Sequence, residues 1–156
     1  MRSFACASGE WYEREVETYI QTIIAPQIEQ GRRVLLVEDG DEIVAVAAHR
    51  EANDPGGTGL VVSWLELAAV RLDRQGTSLV GGTKLSAMLM TALIADAIRQ
   101  RGRQPIVAAY VAEANRRSRT ICARADLVED PPPELLYSEA LGAVASYIFV
   151  SGTFRE

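Results

Sequence analysis

Apolar residues recur along this chain with two different periods, and the switches between them mark its elements. In residues 9–28, Val16, Tyr19, Ile20, Ile23 and Ile24 fall at the spacing of one helix face. Glu10, Glu13, Glu15 and Glu17 make the first half of that helix acidic, which suits a helix N-terminus. Pro26 has no N–H to donate and clashes with the preceding turn, so it is expected to end or kink the helix. Residues 33–38 and 42–49 read as strands, and Asp39-Gly40 between them is a hairpin signal. Residues 51–59 have loop composition, and residues 60–72 form a long strand rich in Val and Leu.

A polar, Gly-containing loop, residues 71–84, leads into a helix predicted over residues 85–101. Its apolar positions, Met88, Leu89, Ala92 and Leu93 with Met90, Ile94, Ala97 and Ile98, cover a face wide enough to pack heavily on a sheet. The polar remainder is Ser86, Thr91, Asp96, Arg99 and Gln100, and Gly102 is a stop signal. Residues 106–112 read as a strand, and Asn115 is a natural N-cap for a further helix. Residues 129–134, with three prolines, read as a linker or loop, and residues 147–150 as a last strand. Strands alternating with helices in the middle and hairpins at the ends predict an α/β (α+β) fold: a mixed, mostly antiparallel twisted sheet with helices on both faces.

Length and composition narrow the class. At 156 residues the chain fits one domain, 1–156, large enough to bury its own core. A net charge of -5 argues against a nucleic-acid binder. A local basic cluster, Arg99, Arg101, Arg103, Arg116, Arg117, Arg119 and Arg124, either attracts a polyanionic ligand or is a solvated helix surface. The two cysteines, Cys6 and Cys122, have no disulfide or metal spacing, and one histidine, His49, rules out any site with two His ligands. There is no signal-peptide core and no run of about 18 apolar residues, so a cytoplasmic protein outside the membrane is expected.

The strand–loop–helix unit carries the chemistry. A Gly-containing loop that opens a helix directs backbone N–H groups at whatever lies above it, a device for holding phosphates. In order, the chain shows a strand ending in Ala69-Val70, then Gln75-Gly76, Gly81-Gly82 and the helix, then a second strand, Asn115, Ser118, Ile121-Cys122 and Asp126-Leu127. This series resembles the GCN5-related N-acetyltransferase (GNAT) family. The family pattern has Ala-Val, a Gln/Arg-Gly-x-Gly-x-Gly/Ala loop, then Asn, a small residue three later, Leu-Tyr and Gly-Phe. The chain departs at Thr77-Ser-Leu-Val80: either the loop carries an insertion, or residues 81–86 do the cradling.

The resemblance implies the acyl-CoA N-acyltransferase fold and acetyl-CoA as co-substrate. The implied cofactor-binding residues are Ala69, Val70, Gln75, Gly76, Gly81, Gly82, Thr83, Lys84, Ser86, Asn115 and Ser118. Asn115 would hydrogen-bond the pantetheine arm, and N–H groups near residues 68–70 would polarise the thioester. An amine acceptor, with a homodimer as an option, completes the implied partners. Most members have Tyr where this chain has Cys122, and that Tyr is thought to protonate the leaving thiolate. A cysteine, with a reference pKa of about 8.5, can in principle give a proton but is shorter.

Three residues are candidates for proton transfer. Glu66 stands in an apolar strand, would share a face with Trp64 and Ala68, and is expected to have a raised pKa that suits a general base. The competing reading is a solvent-facing or Arg-paired Glu. His49, at the end of a strand, is the second, and Tyr110 a weaker third, each balanced against an ordinary structural role. Trp11, Tyr12 and Trp64 either line an acceptor pocket or, as the favoured reading, fill the core. If the family's acceptor site carries over to residues 9–28 and 51–59, the acidic first helix favours a cationic acceptor. The enzyme reading stands against a catalytically degenerate acyl-CoA-binding or interaction module, and more weakly against a ligand-free α/β domain.

Overall fold

A computed structural model describes residues 4–24, 31–54, 57–79, 81–101, 105–139 and 141–154. The expected break at Pro26, the stop at Gly102, and Arg103 of the basic cluster lie outside the described residues. Three helices, α1 (Trp11–Tyr19), α2 (Leu85–Arg101) and α3 (Arg116–Arg124), accompany six strands. The strands are β1 (Arg32–Asp39), β2 (Glu42–Asn53), β3 (Val61–Val70), β4 (Ile106–Ala112), β5 (Val128–Ser138) and β6 (Ala143–Thr153). A π-helical turn, Ile20–Ile24, continues α1, and a 3-10 turn, Leu72–Arg74, follows β3.

The strands form one sheet in the order β1-β2-β3-β4-β6-β5. Every neighbouring pair is antiparallel except β3 and β4, which are parallel and joined through α2. One face of β2 and β3 presents Val46, Ala48, Leu67 and Ala69, which pack with Ile20, Val16 and Tyr19 of the α1 segment. The opposite face presents Ala47, Leu65, Val107 and Val150, covered by Leu89 and Leu93 of α2 and Cys122 of α3. This is the expected mixed α+β sheet with helices on both faces.

Local signals predicted several elements closely. Residues 85–101 are α2 and residues 106–112 are β4, as their patterns require. The first hairpin forms, with Gly40 at φ 62° inside a Gly40-Asp41 loop, one residue later than the dipeptide suggested. Asn115 caps α3, its side-chain oxygen accepting the Ser118 N–H at 3.0 Å.

Other expectations fail for reasons of tertiary pairing. β2 continues to Asn53 because β3 pairs with it over that whole length, so His49 is mid-strand rather than at a strand end. Residues 129–134 are not a linker: they belong to β5, an edge strand held by β6. Pro131, Pro132 and Pro133 lie where the register shifts between Asp130 and Glu134, at an edge where missing N–H donors cost the ladder little. Asp96, on the expected polar remainder of α2, is buried instead. It faces the sheet, where Arg33 grips it through Nε at 2.6 Å and Nη2 at 3.1 Å and His49 Nε2 stands 2.9 Å away.

Leu93 is fully buried at the centre of the α2 contact. Leu93→Ala should therefore lower unfolding free energy by about 2–5 kcal/mol, the cost of a core cavity, read as a drop in the urea midpoint at unchanged slope.

Candidate functional site

The parallel ladder between β3 and β4 is two residues long, Ser63 opposite Val107 and Trp64 opposite Ala108. Beyond it the strands part. β3 remains bonded to β2 on its outer edge through Ala45–Val70, and β4 to β6 through Ala112–Tyr147. Residues 65–70 therefore turn one edge of alternating N–H and C=O groups into a gap with no strand partner, and such groups need a partner when water is excluded.

Two connected cavities occupy the gap. An outer cleft of about 100 Å³ is lined by Ala68, Ala69 and Val70 on one side and by Ser86, Asn115 and Ser118 on the other. An inner chamber of about 400 Å³ lies against α1. Val16, Ala68, Asn115 and Ser118 border both, so they form the junction.

The mouth of the cleft is built by the 71–84 loop. Residues 77–79 and 83–85 pair as a small hairpin: Ser78 bridges Lys84, Leu79 N–H donates to Thr83 O at 2.8 Å, and Leu85 N–H donates to Thr77 O at 3.1 Å. Gly81 and Gly82 turn it, at φ 92° and 83°. Lys84 Nζ is tied to Gly76 O and Ser78 Oγ, both at 2.8 Å. Residues 77–79 thus pair back on residues 83–85, after which α2 begins. In its first turn Leu85 donates to Thr77 and Met88 to Lys84 O, which leaves the Ser86 and Ala87 amides at the helix N-terminus without a carbonyl among the described residues. Those amides and the positive end of the helix dipole form an anion-favouring site beside the cleft.

Of the predicted cofactor residues, Ala69, Val70, Gln75, Ser86, Asn115 and Ser118 line the outer cleft. Gly81, Gly82, Thr83 and Lys84 belong to the neighbouring hairpin, Gly76 accepts from Lys84 Nζ, and none of the five lines the cleft. Gln75 spans the mouth: Nε2 donates to Cys6 O at 2.8 Å, and Oε1 accepts from Arg117 at 3.0 Å. Arg117 is the member of the basic cluster at the cleft. Arg99 reaches Asp96, and Arg119 is paired with Glu129.

The proton-transfer candidates separate. Glu66 does line the chamber. Leu65 faces His49 and Leu67 faces Ala48, so Glu66 is an extra residue in β3, a bulge. The bulge breaks the alternation: Leu67 and Ala69, rather than Ala68, continue the α1 side. Glu66 is not a free base. Arg32 holds both its oxygens, at 2.6 and 3.0 Å, Arg50 Nε is 2.8 Å away, and Tyr19 OH donates at 2.9 Å. Burial alone would push its pKa up, as the strand pattern suggests. The hydrogen bonds from Arg32 and Tyr19 and the charges of Arg32 and Arg50 outweigh that and hold it below the usual carboxylate range.

His49 faces the other side of the sheet, 1% exposed beneath α2 and bonded to Asp96, and lines neither cavity. Cys122 borders the chamber, but burial, aided by the charge of Glu129, pushes its thiol up to about 11. Tyr110 also lines the chamber; burial and its 2.7 Å bond to Glu134 raise it to about 12.

Two chamber features go beyond the sequence reading, which named Tyr12 as a pocket candidate and Glu15 only as one of four acidic helix residues. Tyr12, Glu15 and Tyr19 share one face of α1, at spacings of three and four, and all three line the chamber. Tyr147 OH, from β6, bridges both Glu15 oxygens at 2.8 and 3.0 Å. Of the three aromatic candidates, Tyr12 and Trp64 are chamber walls, while Trp11 packs behind Tyr147 with ring centroids 5.9 Å apart. The i, i+3, i+7 spacing of Tyr12, Glu15 and Tyr19 was a usable signal; their Tyr147 partner was not.

By sequence, no protein-family model and no curated protein matches the chain. By structure, the chain is similar to the ribosomal-protein-S18-alanine N-acetyltransferase from Escherichia coli, with TM-score 0.66 and 14% identity over 99% of this chain and 84% of that one. It is similar to a ribosomal-protein-alanine N-acetyltransferase from Brucella melitensis, with TM-score 0.61 and 16% identity over 91% and 78%. A putative acetyltransferase from Salmonella typhimurium, solved with acetyl-CoA, matches with TM-score 0.59 and 18% identity over 81% of this chain and 66% of that one. The chain thus has the fold of the GNAT acetyltransferases, the acyl-CoA N-acyltransferase fold. No described helix is long and apolar enough to cross a membrane.

The Glu66 cluster yields a stability prediction. Arg32 has a side chain only 4% exposed, so Glu66→Ala leaves a buried cation without its carboxylate and should cost about 3–5 kcal/mol. The folded pKa of Glu66 is depressed, so the stabilisation is present above the unfolded pKa of about 4.3 and is lost as pH falls through the folded value. Urea unfolding of wild type and Glu66→Gln should show a gap that is full at pH 7 and closes in acid below that range.

Proposed function

We propose that this chain is an acetyl-CoA-dependent N-acetyltransferase that transfers the acetyl group to an amine by direct attack on the bound thioester. The observation that carries the reading is the parting of β3 and β4, with a helix N-terminus at one end of the gap and a walled chamber at the other. The relatives in structure are acetyltransferases, one of them solved with acetyl-CoA.

The residues present fit an extended ligand with an anionic end. The Ser86 and Ala87 amides, with Arg117 beside them, would hold the pyrophosphate. The unpartnered edge of β3 at Ala69 and Val70 would pair with the amides of the pantetheine arm as an added strand would. Asn115 uses its side-chain oxygen as the α3 cap, which leaves its NH₂ as a donor at the junction, next to Ser118. Gln75, Gly76 and the hairpin bearing Gly81, Gly82, Thr83 and Lys84 would border the mouth. When bound, acetyl-CoA supplies the activated acetyl group. The chain's own contribution is positioning, exclusion of water, and N–H groups of the β3 edge aimed at charge developing on a carbonyl oxygen.

The proton chemistry of this reading differs from that of the resembled family. Glu66 serves as the charge-balanced floor of the chamber rather than as its base. The acceptor ammonium would lose one proton to water, the free amine would attack the thioester carbon, and its second proton would pass through water to the leaving thiolate, giving the amide and CoA thiol. The Gln75 bridge across the outer cleft favours the second reading, an acyl-CoA-binding module without turnover.

A thermal-shift titration tests binding. Acetyl-CoA at a hundred times its Kd should add about 2.7 kcal/mol, a rise of about 5–11 °C, well above that given by adenosine diphosphate. Release of CoA thiol that depends on an added amine separates the enzyme from the module. Binding with no release across a broad amine panel selects the module, and no shift at all removes both readings.

A further inference from the structure

We infer that the inner chamber takes a primary amine with a single positive charge on an aromatic body, and that Glu15 receives its ammonium group. The inference rests on the acetyltransferase reading and names the acceptor of that same site. The argument begins with charge. Among the described residues two carboxylates line the chamber, Glu15 and Glu66, and no Lys, Arg or His does. Glu66 is compensated from behind by Arg32 and Arg50. Glu15 has a neutral partner, the Tyr147 hydroxyl, and among the described residues no cation pairs with it. One negative charge therefore remains unbalanced inside a chamber with mostly apolar walls, where a cation is stabilised more than it would be in water. Glu134, bonded to Tyr110 at the rim, is exposed and solvated and does not line the chamber.

The walls set the body of the ligand. Tyr12, Tyr19, Trp64, Tyr110, Tyr137 and Tyr147 come from five different elements and converge on the one space. Trp64 and Tyr110 meet edge-on at 5.4 Å between centroids and both pack against Phe149, an aromatic wall of the kind that a further ring joins. Rings around a carboxylate are also the surroundings in which an ammonium gains cation–π attraction. A polyamine would need a second unbalanced carboxylate, and Glu66 is taken by two arginines. An acidic amine would meet Glu15 as a like charge. The Tyr147 bond to both oxygens fixes the Glu15 carboxylate on the chamber side of α1, which makes Tyr147 a positioning residue.

The test uses the full chain, acetyl-CoA and four acceptors: phenethylamine, spermidine, a short peptide beginning with Ala, and glutamate. CoA thiol release is measured for wild type, Glu15→Gln and Tyr147→Phe, with the acetyl-CoA thermal shift taken on each protein. The expected result is the highest kcat/KM for phenethylamine. Glu15→Gln should raise its KM about tenfold or more, the loss of one charged hydrogen bond, with a smaller change in kcat and an unchanged acetyl-CoA shift. Tyr147→Phe should raise KM less. Should Glu15→Gln fail to fold, a phenethylamine titration of wild type followed by tryptophan fluorescence carries the test, and a saturable signal absent with glutamate is expected. Turnover favouring spermidine or the peptide, an unchanged KM in Glu15→Gln, or no saturable signal overturns the inference while leaving the acetyltransferase reading standing. Loss of the acetyl-CoA shift in wild type overturns both.

Discussion

Past Trp64 and Ala108, two neighbouring strands of one sheet have no further paired residues. Each keeps its other neighbour, so the sheet survives, but one edge of β3 is left with donors and acceptors facing a gap. The geometry around the gap follows from this. α2 must start where β3 and its loop deliver it, which aims its first amides at the outer cleft. β4 ends at Ala112, and α3 begins at Arg116 with Asn115 as its cap, so the second wall is placed by the same parting. α1 closes the inner end from the opposite face. An elongated ligand with a polar backbone and an anionic tail is what this arrangement can satisfy.

Charge is arranged with equal economy of parts. Arg32 and Arg33 are adjacent on β1, so their side chains leave on opposite faces of the sheet. Arg32 meets Glu66 on the α1 side, and Arg33 meets Asp96 on the α2 side. The β2 residues opposite them repeat the pattern: Arg50 joins Glu66, and His49 joins Asp96. Two buried carboxylates, one per face, are each matched by side chains from both strands, as burial of a charge requires. The consequence for chemistry is direct. Glu66 is held ionised and occupied, His49 is held in the core, and the unbalanced charge of the chamber passes to Glu15.

Much of the fold is legible in the chain because it is local. The periods of residues 85–101 and 106–112 each describe one element, and Asn115 three residues before a small polar residue is a cap whatever surrounds it. Asp39-Gly40 announces a hairpin to within one residue. The order of strand, loop, helix, strand and cap also carries the resemblance to the acetyltransferase fold, since each part is short-range. The candidate site is half legible in the same sense. Ala69, Val70, Ser86, Asn115 and Ser118 meet at one cleft because they sit at the ends of consecutive elements.

Contacts between distant residues decided the rest. Glu66 reads as a lone carboxylate in an apolar strand, and only a partner 34 residues earlier, Arg32, makes it a held anion. The bulge that sets its direction comes from register with β2, which no alternation within β3 reveals. Glu15 and Tyr147 are 132 residues apart, and nothing near either predicts the bond. The prolines of β5 read as a breaker, yet an edge position with β6 alongside tolerates them. By itself the sequence determined the elements, their order and the ends that converge, since backbone preference and hydrophobic period act over a few residues. Tertiary structure decided which charges are spent on one another and which one is left facing the chamber, because pairing energy depends on distance through space and not along the chain.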